Sequence, residues 1–175
     1  MTKRGLIPIA GLRAVTRLLL LASPLLAAGC PFDSGGSDDH PPRLTLGDLR
    51  AAPETLIVSG AKITAQASVW RDFMPTVPPT NGSDLRGVVD LVPVDPNFQP
   101  SLPSKLFVWV LRDNEVWVGA LKHTGVGVSG GQQYAFSGGP RYDIPGKVDV
   151  VVGIPTSGRN ADLVADRGVT ILRTE

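Results

Sequence analysis

The stretch Lys105 to Leu121, KLFVWVLRDNEVWVGAL, limits the fold more than any other part of this chain. Two apolar runs flank Asp113-Asn114, residue types that tolerate the positive φ of a tight turn. The pattern predicts a β-hairpin in which Leu111 opposes Val116, Val110 opposes Trp117 and Trp109 opposes Val118. Successive side chains of a strand point to opposite faces. Phe107, Trp109, Leu111, Val116, Val118 and Ala120 therefore share one face, uncharged and expected to be core. Val108, Val110, Arg112, Glu115, Trp117 and Gly119 share the other, where Arg112 and Glu115 indicate water and Trp117 becomes the candidate exposed aromatic.

Further strands follow from the same period of two. In Ala61 to Trp70, Ile63, Ala65, Ala67 and Val69 alternate with Lys62, Thr64, Gln66 and Ser68, as in a half-buried strand. Leu85 to Val94 is another, and Lys147 to Ile154 turns Val148, Val150, Val152 and Ile154 inward. Tyr134 to Phe136 adds a short strand, and Leu163 to Ala165 and Val169 to Leu172 add two short runs. Arg43 to Ala52 fits either a strand or a short helix, stopped by Pro53. Arg71 to Asp84, with Phe73 and Met74, reads as a proline-rich cover over one end of the fold or else as a binding loop, and prolines 93, 96, 100 and 103 keep the next connection out of a central ladder. Short strands separated by Gly/Pro turns predict an all-β domain, a single immunoglobulin-like or transthyretin-like antiparallel β-sandwich of about seven to eight strands.

Ahead of this domain lies an export signal. Lys3, Arg4, Arg13 and Arg17 form a basic region, Leu18 to Leu26 an apolar one, and Ala27, Ala28 and Gly29 a small-residue cleavage zone. The apolar run from Leu18 to Gly29 is short of the roughly 20 residues that cross a bilayer. Leu26-Ala27-Ala28-Gly29-Cys30 resembles the lipobox of bacterial lipoproteins, with Ala27 where that family most often has Leu. The resemblance implies that the Cys30 sulfur is diacylglycerylated, that the leader is cut just before it, and that the new amino terminus is acylated as well. Ala27 and Gly29 also satisfy the small-x-small rule of an ordinary secretory signal. Cys30 is the only cysteine, and lipidation would account for a lone thiol in an exported chain. The expected organisation is a removed leader (1–29), a lipidated cysteine with a flexible tether (30–42), and the β-domain (43–175). The implied location is the bacterial cell envelope, on its periplasmic or cell-surface face, with the membrane as partner through the lipid anchor.

Without the leader, 13 basic residues face 16 acidic ones, a balance of about −3. Such a chain has no basic patch for nucleic acid. Metal chemistry is thin, because only His40 and His123 are available as imidazole ligands and Asp84, Asp90, Asp95 and Asn97 match no calcium spacing. Neither a metal nor another cofactor is expected. Gly127-Val128-Ser129-Gly130-Gly131 has the letters of a nucleophile elbow, and Gly125-x-Gly127-x-x-Gly130 those of a dinucleotide loop. Both need a following helix, and the elbow a later histidine; neither is present. The expected function is non-catalytic binding or structural support in the envelope, with an envelope protein or a glycan as candidate partner. One alternative is a carbohydrate-binding module stacking sugars on Trp70, Trp117, Tyr134 and Tyr142. A third reading is an enzyme, which would require Asp72, His123 or Asp143 to gather in one cleft.

Overall fold

The computed structural model describes residues 40–74, 82–156 and 160–175. The leader, Cys30, all but the last residues of the tether, and the middle of the 71–84 connection lie outside them. Within the described residues a short helix, α1 (Leu46–Ala51), precedes eight strands. These are β1 (Thr55–Val58), β2 (Ala61–Asp72), β3 (Leu85–Pro93), β4 (Lys105–Arg112), β5 (Glu115–Val126), β6 (Gln132–Gly139), β7 (Lys147–Pro155) and β8 (Ala161–Thr174).

The strands hydrogen-bond in the order β1-β2-β3-β6-β5-β4-β7-β8, and β8 then pairs with β2. Strands β2 to β8 therefore close into a seven-stranded barrel, with β1 as an added strand. This overturns the sandwich expectation, immunoglobulin-like and transthyretin-like alike: there is one continuous wall where two facing sheets were predicted. The closing pair is parallel, from Val69↔Ile171 to Asp72↔Thr174. Three register shifts bend the wall, at Ser137-Gly138 in β6 opposite Leu85 to Gly87 of β3, beside Gly125 in β5 and at Gly168 in β8. Such bulges sharpen the local twist and allow a sheet to curl shut. The last one also explains why the two short terminal runs are a single strand. It passes through Arg167-Gly168 with Gly168 at φ 63°, a left-handed position that glycine adopts without penalty.

The predicted hairpin is present with the predicted register, Trp109↔Val118, Val110↔Trp117 and Leu111↔Val116, and Asp113 turns at φ 53°. The face assignment is the opposite of the expectation. Val108 and Val110 are fully buried inside the barrel, where Trp117 packs too, while Val116 and Val118 are 42% and 40% exposed. Phe107, Trp109 and Leu111 are buried as well, but on the outer face, under Leu49 and Ala52 of the α1 segment. A strand covered on both sides has no wet face, so β4 carries no polarity alternation to read.

The undecided segment before Pro53 is helical. Thr45 Oγ1 accepts from the Asp48 amide (3.1 Å) and the Asp48 carboxylate accepts from the Thr45 amide (2.8 Å), a reciprocal capping box. The Thr45 hydroxyl also donates to the Asp48 carboxylate at 2.7 Å, and this bond first, then the one from the Thr45 amide, holds the Asp48 carboxyl below the usual aspartate range. Six residues are too few to hold a helix alone. Arg167 supplies the tertiary hold: its Nη2 donates to the Leu49, Arg50 and Ala52 carbonyls at 2.9–3.1 Å, and its Nη1 to Asp149 Oδ2 at 3.1 Å. A cation thus sits where the helix leaves its last carbonyls unpaired.

Arg167→Met is expected to lower stability by about 2–4 kcal/mol, through stranded carbonyls and an unpaired Asp149. The measurements are the denaturant midpoint and amide exchange over 49–52; a variant with unchanged midpoint and unchanged exchange would show that the clamp is not what seats α1.

Candidate functional site

Side chains fill the barrel interior from wall to wall, including Ile63, Val89, Leu106, Val150, Val164 and the ring of Tyr134. Grooves large enough to meet a ligand among the described residues, at Arg112 and at Trp109, lie on the outside of the barrel.

The four aromatics proposed as a ligand surface do not meet. Tyr134 is fully buried, its hydroxyl 2.9 Å from the Pro103 carbonyl it donates to, its ring edge-on to His123. Tyr142 is 6% exposed and belongs to the same interior cluster. Trp117 is half-buried inside the barrel against Phe136, with ring centroids 5.7 Å apart. Its ring lies over Gly119, where an added Cβ would come within 2.3 Å of it, so Gly119 is the residue that makes room. Trp70 alone sits on the outer wall, half-buried between Arg86 and Leu172 in the register. Barrel closure is the cause, since it turns inward three of the rings that a sugar would need outside.

The carboxylates and histidine of the enzymatic reading are also separated. His123 is near the end of β5 that meets the start of β4, whereas Asp72 and Asp143 are at the opposite end of the barrel. Among the described residues, no group of three His, Cys, Asp or Glu side chains is placed to hold a metal ion. Of the calcium candidates, Asp84 pairs with Arg141 at 2.7 Å, Asp95 accepts from Asn97 within its own loop, and Asp90 lies against Gly127. The glycine tract Gly127 to Gly131 is the β5–β6 turn, closed by Gly127 N–H to the Gly131 carbonyl (2.8 Å), and strand rather than helix follows it.

The most developed polar arrangement is at the end carrying Asp72. Arg71 extends the inward series of β2 and is 4% exposed. Its Nε donates to the Ser83 carbonyl (2.9 Å) and its Nη1 to the Tyr142 carbonyl (2.6 Å), tying two connections over the barrel mouth. Phe73 carries Arg71 on its ring at 4.9 Å and Arg173 at 4.5 Å. Burial lowers the Arg71 pKa, with Arg141 adding to it, yet guanidinium remains charged throughout the accessible pH range. Just outside this plug runs a groove of about 460 Å³ lined by Arg112, Glu115, Arg141, Tyr142 and Asp143, together with the Asp113-Asn114 turn. Arg112 stacks on Tyr142 at 5.2 Å, and the Tyr142 hydroxyl is buried without a partner. Burial first, then the Glu115 carboxylate, pushes the Tyr142 phenol upward against the opposing pull of Arg112. Mixed charge of this kind suits hydrogen-bonded binding of a polar group; its lining holds no histidine, cysteine or serine.

A second groove, of about 470 Å³, is apolar and lies where the chain enters the domain, between Pro41, Pro42 and Leu46 on one side and Trp109, Val116 and Val118 on the other. Sequence reasoning read Arg71 with Asp72 as a structural ion pair or loop cap, where the structure has Arg71 binding the Ser83 and Tyr142 carbonyls, and it passed over Arg167. Continuing the alternation of β2 by one step from Val69 reaches Arg71 and places it inside; nothing local marks Arg167.

No family model matches the chain, and no curated protein matches it. Among solved structures it is similar to a copper-bound variant of FetP from uropathogenic Escherichia coli, with 14% identity over 68% of this chain and 96% of that one and a TM-score of 0.39.

Both tyrosines of the chain are buried, and burial raises both phenols. The folded state therefore holds its phenolic protons beyond the ordinary value near 10, so above that pH the unfolded chain binds fewer protons and stability falls as pH rises. An ultraviolet phenolate titration is expected to show no tyrosine ionising normally and both appearing together with alkaline unfolding. One tyrosine titrating near 10 in the folded protein would contradict this placement.

Proposed function

We propose that the chain is a lipid-anchored protein of the bacterial cell envelope, whose barrel works by binding or structural support rather than by catalysis. The observation that carries this reading is the run Leu26 to Cys30, a lipobox-like sequence ending at the only cysteine. Three features agree with it. The export signal precedes Cys30; a stretch rich in Gly, Ser, Asp and Pro separates Cys30 from the fold; and the packed interior leaves the outer surface for any contact. Two or more acyl chains at Cys30 hold a protein to a membrane stably, where one alone binds marginally. The barrel then hangs from its first residues, close to the apolar groove at Pro41 and Pro42. Its partner, under this reading, is an envelope component met by the exterior of the barrel.

Cys30→Ser is expected to abolish fatty-acid labelling and to leave the leader uncut, while the domain folds as before. Radiolabelled acyl incorporation and the mobility of the product report it. A serine variant that still takes up label, or is processed at the same bond, would overturn the anchor.

A further inference from the structure

Nine large apolar side chains are substantially exposed among the described residues, and five of them, Ile57, Val94, Phe98, Val126 and Val128, gather at the barrel end away from Arg71. Scattered exposed apolar residues need no explanation, but a cluster does. Hydrogen bonds tie the segments that carry these residues into one rim. The Val94 amide donates to the Lys62 carbonyl at 2.8 Å, and Lys62 faces Ile57 across the β1–β2 hairpin. Gln99 Nε2 reaches the Gly130 carbonyl at 3.3 Å and Gln132 Nε2 the Pro100 carbonyl at 2.7 Å, joining the Phe98 loop to the β5–β6 turn.

That turn is the most prominent feature. Val126 is 75% exposed and Val128, at the tip, wholly so. The tip is nevertheless held: Gly130 N–H bonds the Gly127 carbonyl at 3.0 Å, and the Ser129 hydroxyl bonds Gln66 Oε1 at 3.0 Å. Gly127 presses on Asp90 so closely that a Cβ would come within 2.4 Å of the carboxylate. Two valines are thus presented to solvent on a fixed support, with little conformational freedom left to lose on contact. Lysines accompany them: Lys62 at the β1–β2 turn, and Lys105 and Lys122 directly opposite each other at the same end of β4 and β5. Of the acidic residues there, Asp90 lies beneath Gly127 with one carboxylate oxygen buried, Asp95 is engaged by Asn97 within its loop, and Asp162 lies at the start of β8.

Projecting aliphatic and aromatic side chains ringed by lysine are the composition that enters a headgroup region carrying negative charge. We propose that this rim, led by Val126 and Val128, rests on an anionic phospholipid surface. The proposal rests on the lipid-anchored reading and deepens it by stating which face of the barrel meets the membrane. Geometry permits it. The ten residues from Cys30 to His40 extend to about 35 Å, comparable with the about 30–40 Å of a wall strand of 9–12 residues. An anchored barrel can therefore turn its rim to the bilayer. Docking on the rim leaves the polar groove at Arg112 and Arg141 facing outward, available to a partner.

The test uses the acylated mature protein, beginning at Cys30, reconstituted into vesicles of phosphatidylethanolamine and phosphatidylglycerol, with brominated acyl chains as quencher. Val128→Trp places a reporter at a wholly exposed position that folding does not use, and Leu172→Trp places one at the opposite end. Relative to the unsubstituted protein, the Val128→Trp signal is expected to shift to the blue and be quenched, and the Leu172→Trp signal to be unaffected. Adding Val126→Asp and Phe98→Asp to the Val128→Trp protein should lower the docked-to-undocked ratio about tenfold, as loss of apolar contact and new negative charge combine. A Val128→Trp reporter that stays unquenched while the protein floats with vesicles overturns the rim and leaves the anchor intact. Protein that fails to float overturns the anchor instead. A blue shift without lipid quenching, whether from a second copy or a protein partner on the rim, also overturns the proposal, as does equal quenching at both ends.

Discussion

The structure depends on four residue pairs, Val69 to Asp72 of β2 against Ile171 to Thr174 of β8. One edge of β2 is taken along most of its length by β3. The other is divided: β1 holds it from Ala61 to Thr64, and β8 holds it from Val69 onward. Between them the ladder has a gap, and there the Ala67 amide donates to the side chain of Asp166 at 2.7 Å. A carboxylate stands in for a missing strand, so a half-buried amide is not left unpaired. Ala165 in turn donates its amide to the Pro53 carbonyl at 2.8 Å, which brings the link between α1 and β1 across the same seam. Without this closure β2 and β8 would be two bare edges, each a template for pairing with another chain.

Closure also decides which faces are inside. In an open sandwich the uncharged face of the β4–β5 hairpin would be core and the face with Arg112 and Glu115 would be wet. In the barrel those two charges lie at the turn, where a strand leaves the wall, and say nothing of the middle of the strands. Val108 and Val110 fill the interior, and the uncharged outer face becomes the seat of α1. The helix covers β4, β7 and β8 but stops short of β5, so Val116 and Val118 remain exposed beside it. Arg167 fixes the helix from below, and the bulge at Gly168 gives it that position. The Gly168 amide is itself held by Asp149 Oδ1 at 2.9 Å, so one carboxylate orients both the arginine and the bend that presents it.

Much of this was legible in the residues, and the illegible part has a definite physical character. Alternation is a local signal: it located β2, β3, β4, β5 and β7 and gave the register of the hairpin around Asp113. The Thr45–Asp48 spacing could have decided for a helix at α1, and Ser59-Gly60, with φ of 50° and 84°, could have disclosed the β1–β2 hairpin. The parallel pairing of residue 69 with residue 171 has no local signature, since strands of a sandwich and of a barrel alternate alike. From that single non-local fact follow the inversion of the hairpin faces, the burial of Tyr134 and Tyr142, and the loss of the aromatic surface. The candidate site suffered most because exposed rings were sought on a face whose direction only closure fixes.

A barrel of about eight strands has an interior just wide enough for side chains to fill, and with seven strands and residues the size of Tyr134, Phe136 and Trp117 directed inward no room is left for a ligand. Recognition therefore moves to the ends and the wall, and the two ends differ in kind. At one, Arg71 binds the carbonyls of two connections and Arg112 covers Tyr142, which makes a charged, hydrogen-bonded closure with a polar groove outside it. At the other, prolines and glycines build the connections and bring apolar side chains such as Val126 and Val128 to the surface, with Lys62, Lys105 and Lys122 beside them. The same closure that excludes ligands from the interior thus produces an object with two chemically distinct ends.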